Sequence, residues 1–256
     1  MRIAGLQTPG TPGDVRANLA ELDRAAADAA GLGARLLITP ELFVTGYDIG
    51  DTVRDLARAD LTGPAAEIAA RHGVAILLGA PEQDGNACYN TAFFLDEHGG
   101  LLGRYRKTHL FGELDRRYFT PGDELVHTVT YHDLKIALLI CYDVEFPEAV
   151  RAAALAGAQL VAVPTAQMTP FEFVAEQLIR TRAWENQVYL AYINHDGSEN
   201  TLSYVGRSSI VAPSGEVLDS AVHGTHLLVA DVEPAVVAEA QRANPYLADR
   251  MPHLYD

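Results

Sequence analysis

Two stretches of the chain read almost alike: GARLLITPE at 33–41 and GAQLVAVPT at 157–165. Each begins with a Gly-Ala pair, continues through a mainly aliphatic run and a proline, and ends on a polar side chain, Glu41 in one and Thr165 in the other. Short apolar runs bounded in this way predict strands buried on both faces. Ahead of each lies an Ala-rich helical stretch, NLAELDRAAADAA from Asn18 and PEAVRAAALAG from Pro147, and ahead of those lie RIAGL at 2–6 and KIALL at 135–139. The repeated β-α-β pattern predicts a duplicated architecture, two similar sheets face to face with helices outside. Ligand sites in such units lie just past the carboxyl ends of the strands, so Glu41, Cys141 and Thr165 are expected close together.

The rest of the chain continues the alternation. Further strands are expected at VAILLGAP (74), TAFFLD (91), LLGRYRKTHLF (101), VYLAYINH (188), YVGRSSIVAP (204) and HLLVADV (226). Further helices are expected at PAAEIAARHG from Pro64 and TPFEFVAEQLIRTRAWEN from Thr169. Asn18 suits an N-cap, Pro147 and Pro170 suit first turns, and Gly73 and Gly157 suit C-terminal caps. No Ser- or Pro-rich linker interrupts the pattern, so residues 1–256 are read as one α/β domain.

Composition excludes several classes. A net charge of -15 argues against nucleic acid as a partner, because phosphate binding needs a local excess of Lys and Arg. MRIAGLQTPG lacks the pattern of a signal peptide and no apolar run approaches bilayer length, so a cytoplasmic protein without a membrane partner is expected. The nine histidines, including His223 and His226, form no dense ligand cluster, and no metal site is expected. GLGARL at 31 lacks the third glycine of a dinucleotide loop and reads as a helix cap and turn.

Only two cysteines are present, Cys88 and Cys141. Cys88 sits in the turn-rich DGNACYN and is read as structural. Cys141 stands in LLICYDVEFPE (138–148), where a greasy strand gives way to acidic residues and a helix-opening Pro147. It is either a small apolar residue finishing a buried strand or a nucleophile at a strand-to-helix corner, where a helix N-terminus favours thiolate. A nucleophile needs a base and a group to hold developing negative charge. Glu41 in RLLITPELFVTGY is either a loop carboxylate in water or a partly desolvated one with a raised pKa. In GRYRKTHLF, period-two alternation puts Lys107 on a face with Tyr105, His109 and Phe111, opposite Arg104 and Arg106. The three bases are either a solvated edge, or Lys107 is an inward ammonium.

TPELFVTGY around Glu41, YRKTHLF around Lys107 and LLICYDVEFPE around Cys141 together resemble the signature of the nitrilase superfamily, the carbon-nitrogen hydrolases. PTAQ at 164 and RTRAWENQVYLAYIN at 180 are similar to later blocks of that family. The resemblance spans essentially the whole chain. It implies a four-layer α-β-β-α sandwich, usually paired into a homodimer or higher homo-oligomer, and a Glu-Lys-Cys triad that needs no metal or organic cofactor. Cys141 is then the nucleophile, Glu41 the proton carrier, and Lys107 with the backbone N–H of Tyr142 the oxyanion binder.

One feature departs from the family pattern. Many members carry a second glutamate ahead of a Phe-x-Pro-Gly stretch, whereas FGELDRRYFTPGD offers Asp115, one methylene shorter, and Glu113 two residues earlier. Asp115 is expected to supply this carboxylate, with Glu113 near substrate as the alternative. Cys141-Tyr142-Asp143 resembles the amidase and omega-amidase branches, which implies a small carboxamide substrate hydrolysed to carboxylate and ammonia. Hydrolysis of N-carbamoyl amino acids is the enzymatic alternative and needs cations such as Arg182, whose other reading is an ion pair with Glu185. A non-catalytic binding protein on the same fold is the third reading. Tyr47, Phe146, Thr165 and Gln167 are expected to line the pocket.

Overall fold

The structure is a computed structural model, which describes residues 1–255. From the N-terminus, β1 (Arg2–Gln7) leads through α1 (Val15–Gly31) to β2 (Leu36–Ile38). The short α2 (Thr52–Leu56) and α3 (Thr62–His72) precede β3 (Ala75–Asp84), β4 (Ala87–Leu95) and β5 (Leu101–Arg106). After α4 (Gly112–Tyr118) come β6 (His127–Tyr131), β7 (Leu134–Leu138), a 3-10 turn at Cys141–Glu145, α5 (Pro147–Leu155) and β8 (Leu160–Thr165). A π-helical turn at Val174–Leu178 runs into α6 (Ile179–Asn186), followed by β9 (Tyr189–Asn194) and the small hairpin β10 (Ser198–Glu199) and β11 (Leu202–Ser203). Then come β12 (Ser208–Val211), β13 (Val217–Ala221), β14 (His226–Asp231), α7 (Pro234–Ala243), α8 (Tyr246–Asp249) and a 3-10 turn at Pro252–Leu254.

The two large sheets have one plan. Their orders are β14-β1-β2-β3-β4-β5 and β6-β7-β8-β9-β12-β13. In each, three consecutive parallel strands are flanked by antiparallel ones. Strand β2 thus matches β8, and the two opening stretches occupy equivalent places.

Strand periodicity divides the core in two. Ile3, Leu36, Ile38 and Leu77 point between the sheets and join Ile136, Leu138, Leu160 and Ile193. Leu37, Ile76 and Leu78 point outward and are covered by Leu22, Ala26 and Ala29 of α1 and by Ala65 and Ala69 of α3. Helices α5 and α6 cover the second sheet through Val150, Ala153, Ile179 and Ala183. The result is the four-layer α-β-β-α sandwich. Each fully buried Leu or Ile stabilises it by about 2 kcal/mol relative to exposure.

Two close approaches fix the layers. A Cβ at Gly5 would lie 2.1 Å from Cδ1 of Ile193, where β1 crosses the other sheet. One at Gly79 of β3 would lie 2.1 Å from the Pro40 carbonyl oxygen, so the loop carrying Glu41 rests directly on that glycine.

Several local expectations change. The N-cap of α1 is Asp14, whose carboxylate accepts from Ala17 N at 2.9 Å. Asn18 is buried one turn later, bonding Thr11 and donating to the Val44 carbonyl at 3.0 Å, and so ties α1 to the loop after Glu41. Pro147 does open α5, and Gly73 caps α3 with φ 63°. Pro170 lies in a turn ahead of its helix, because Thr169 N is held by Ser203 O at 2.9 Å. The strand at 101 stops at Arg106. Lys107 N still donates to Asn90 O, but the chain then turns away, and His109 and Phe111 do not continue that face.

Candidate active site

The equivalent ends of β2 and β8 touch. Glu41 N donates to the Thr165 carbonyl at 3.3 Å, and Nε2 of His195, just past β9, lies 2.7 Å from the Glu41 carbonyl. Cys141 follows β7 with φ 44°, a left-handed conformation uncommon for a residue with a Cβ, and Leu42 after Glu41 has φ 51°. Such backbone, costing about 1–3 kcal/mol, concentrates at functional sites. The turn after Cys141 is pinned by Asp143, which accepts from Ile140 N at 3.1 Å and His109 N at 2.9 Å.

Lys107 is buried between carboxylates. Its Nζ donates to Glu41 Oε1 and to Asp115 Oδ2, both at 2.7 Å, and all three side chains are fully shielded from solvent. Asn90 donates to the same Glu41 Oε1 at 2.7 Å. Glu41 Oε2 has no protein partner among the described residues. Asp115 is itself fixed by the Tyr47 hydroxyl at 2.7 Å and by Phe111 N at 2.9 Å. Behind Tyr47, the buried Glu199 accepts from Tyr47 N at 3.0 Å.

The charges set the protonation states. Burial raises the Glu41 pKa, Lys107 opposes this and Asp115 adds to it; the net direction is up. Burial disfavours the Lys107 ammonium, but Asp115 and Glu41 more than offset it and hold the lysine protonated. Burial also pushes the Cys141 thiol well up, with Glu41 adding to the rise against Lys107 and the Ala166 N–H. The expected thiolate-favouring corner is therefore corrected: desolvation and a neighbouring carboxylate outweigh the turn, and sulfur rests as a thiol.

The remaining expected residues divide. Gln167 is beside sulfur, the thiol donating to its Oε1 at 3.6 Å. Phe146 stacks on His109 with ring centroids 3.8 Å apart, and Tyr142 meets Phe146 edge-on at 4.9 Å. Both rings line an open cavity of ≈ 520 Å³ with Thr108, Leu110 and Phe119. Tyr47 supports Asp115 from behind instead of facing that cavity. Thr165 turns its hydroxyl to the Val163 carbonyl at 3.0 Å and braces the strand end; it is not on the wall of that cavity. Glu113 is exposed on α4 while Asp115, on the opposite side of the same turn, is buried. Asn90, His195 and Glu199 were not anticipated. Only Asn90 leaves a trace in the sequence, as an amide inside the strand run ACYNTAFFL.

Residues 2–242 match the family model described as carbon-nitrogen hydrolase. The chain belongs to the carbon-nitrogen hydrolase family. This carbon-nitrogen hydrolase is 45% identical to a Pseudomonas protegens protein named for its place, "Hydrolase in pqqF 5'region", over 100% of this chain and 91% of that one. An (R)-stereoselective amidase from Pseudomonas sp. is 34% identical over 98% of this chain and 91% of its own. Among solved structures, an amidase from Nesterenkonia sp. AN1 superposes with a TM-score of 0.91 at 39% identity, covering 100% of this chain and 98% of that one. A variant of that amidase carries acrylamide added at its active site cysteine. The chain is an amidase-type hydrolase, and among its described residues no helix is long and apolar enough to cross a membrane.

Proposed function

We propose that the protein hydrolyses small carboxamides to carboxylate and ammonia through a thioester on Cys141. The observation that carries this reading is the division of labour on Glu41. Oε1 is tied by Lys107 and Asn90, Oε2 is unoccupied by any described protein group, and the nearby sulfur is a protonated thiol that needs a base. Glu41 takes the thiol proton as sulfur attacks the amide carbon and returns it to the departing ammonia. Lys107 uses two of its three donors on carboxylates, leaving the third, with the Tyr142 N–H, for the oxyanion. Water activated by the same Glu41 then cleaves the thioester. Covalent acrylamide at the active site cysteine of the Nesterenkonia amidase supports the nucleophile assignment.

The N-carbamoyl amino acid alternative is not supported at Arg182. Arg182 donates to the Val144 carbonyl at 3.0 Å, to the Glu145 carbonyl at 2.6 Å and to Glu185 at 2.8 Å, so it is committed to the protein itself.

The test is ammonia release from short neutral amides followed across pH. The base must be ionised, so kcat/KM is expected to rise with pH through an acidic limb whose midpoint lies above the ordinary glutamate value of 4.5. That midpoint belongs to the coupled site as a whole. A limb at or below 4.5, or no ammonia from any amide, would refute the reading. Asp115→Asn is expected to lower kcat/KM by about 10²-fold, because it loosens the ammonium that faces the reacting atoms. Glu113→Gln should change it less than about twofold, as surface substitutions do. Equal effects in the two variants would remove Asp115 from the positioning of Lys107.

A further inference from the structure

The side chain of Asp143 does more than close its own turn. It is fully buried, and its two oxygens reach different parts of the molecule. Oδ2 accepts from Ile140 N at 3.1 Å, directly ahead of Cys141. Oδ1 accepts from His109, two residues beyond Lys107, both from the backbone N at 2.9 Å and from Nδ1 at 2.8 Å. A carboxylate only accepts, so Nδ1 carries a ring proton. The same imidazole lies flat on Phe146, the residue that follows the turn, with centroids 3.8 Å and planes 14° apart.

Lys107 and Cys141 come from different sheets. The Lys107 backbone is held by Asn90 O and Gly122 N, both ahead of the second sheet in the chain, and its ammonium is gripped by Glu41 and Asp115, also from the first half. Glu41 is tied across separately, through Thr165 O and His195. Among the described residues, the hydrogen bonds between the 107–111 segment and the 140–146 turn are those of His109, and both end on Asp143 Oδ1.

We propose that Asp143 and His109 are positioning residues, a clasp that sets the sulfur of Cys141 against the Lys107 ammonium and the Glu41 carboxylate. This rests on the amide hydrolysis proposed above and adds to it the pair that keeps nucleophile and oxyanion binder in register. Cys141 sits in left-handed backbone at φ 44°, a conformation that persists only while its surroundings hold it. Hydrogen bonds to an ionised partner are short and strong, so one buried carboxylate suffices to hold both segments. Misplacing the reacting groups by roughly 1 Å costs about 10²-fold in rate.

Two substitutions at His109 separate the ring from its proton. His109→Phe keeps the stack on Phe146 and deletes the Nδ1 donor, whereas His109→Asn deletes the stack and offers an amide N–H in place of Nδ1. With butyramide as substrate, kcat is expected to fall about tenfold in His109→Phe, the scale of one hydrogen bond to a charged partner, with KM within about twofold. His109→Asn should recover most of that loss. Asp143→Asn should cost about 10²-fold, and the double variant D143N/H109F no more than Asp143→Asn alone, because the two residues form one unit. Alkylation of the Cys141 peptide by iodoacetamide, followed by mass spectrometry and divided by the rate on glutathione, separates positioning from unfolding. A buried sulfur shifted away from its base reacts more slowly, while a turn that has come apart exposes the thiol and speeds the reaction. His109→Phe is expected to slow it by about tenfold, and His109→Asn to restore it. A kcat within about twofold of wild type in His109→Phe, additive losses in the double variant, or faster alkylation overturns the clasp. Alkylation slowed in His109→Phe and restored in His109→Asn, with no ammonia from any amide even in the wild-type protein, would keep the clasp and remove the hydrolase reading instead.

Discussion

Lys107→Met is expected to abolish ammonia release and to destabilise the protein by about 3–5 kcal/mol, since it leaves two buried carboxylates facing each other without their cation. Methionine matches the length of the lysine stem, so little packing is lost. The penalty is electrostatic: Glu41 Oε1 and Asp115 Oδ2 each lose a 2.7 Å bond to one ammonium. Protonating one carboxylate relieves the repulsion. In the variant Glu41, already raised by burial, loses the lysine that opposed the rise, so the deficit is largest above its folded pKa and shrinks as pH falls through it. Adding Asp115→Asn to Lys107→Met should recover part of the stability and none of the activity, because the two residues share one network. Urea unfolding at several pH values, read beside ammonia release, checks both halves. A Lys107→Met protein that still turns over amide, or that loses under about 1 kcal/mol, would show that the ammonium is not the hub of the site.

Cys141→Ala is expected to reduce turnover by a factor on the order of 10⁶, the scale for removing a covalent nucleophile from a catalytic unit. Its effect on folding should be small, as sulfur behaves as a small apolar group in a buried setting. In the wild-type protein, acid quenching during turnover should leave the acyl group on the Cys141 peptide and none on that of Cys88. Cys88 is also buried, but Leu42, Phe119 and Tyr204 surround it in an apolar cluster. Acyl label on Cys88, or turnover by Cys141→Ala within tenfold of wild type, would end the thioester mechanism.

The duplicated plan was legible because it rests on short-range pattern: apolar runs of fixed period, alanine-rich helices and proline stops. Glu41, Lys107 and Cys141 were legible because each breaks such a pattern with a reactive side chain. What escaped was decided by contacts distant in the chain. Asn18 looked like a cap until the loop at Val44 claimed its amide. Glu199 gives no local sign that it holds Tyr47, and so indirectly Asp115, from across the molecule. Thiolate character was misjudged for a related reason, since sequence shows the turn beside sulfur but not how deeply the surrounding layers bury it.

The placement of β14 bears on how the molecule comes together. This strand, near the end of the chain, completes the first sheet by pairing with β1, so that Arg2 stands opposite Asp231. A growing polypeptide thus holds an unfinished edge on β1 until residues 226–231 have been synthesised. Glu41 and Lys107 belong to one half of the duplication and Cys141 to the other, so neither half assembles the proposed reaction centre by itself. Severed between β5 and β6, the trailing fragment would still bring the strand that docks onto the leading one, which makes reconstitution from two pieces a natural property of this architecture.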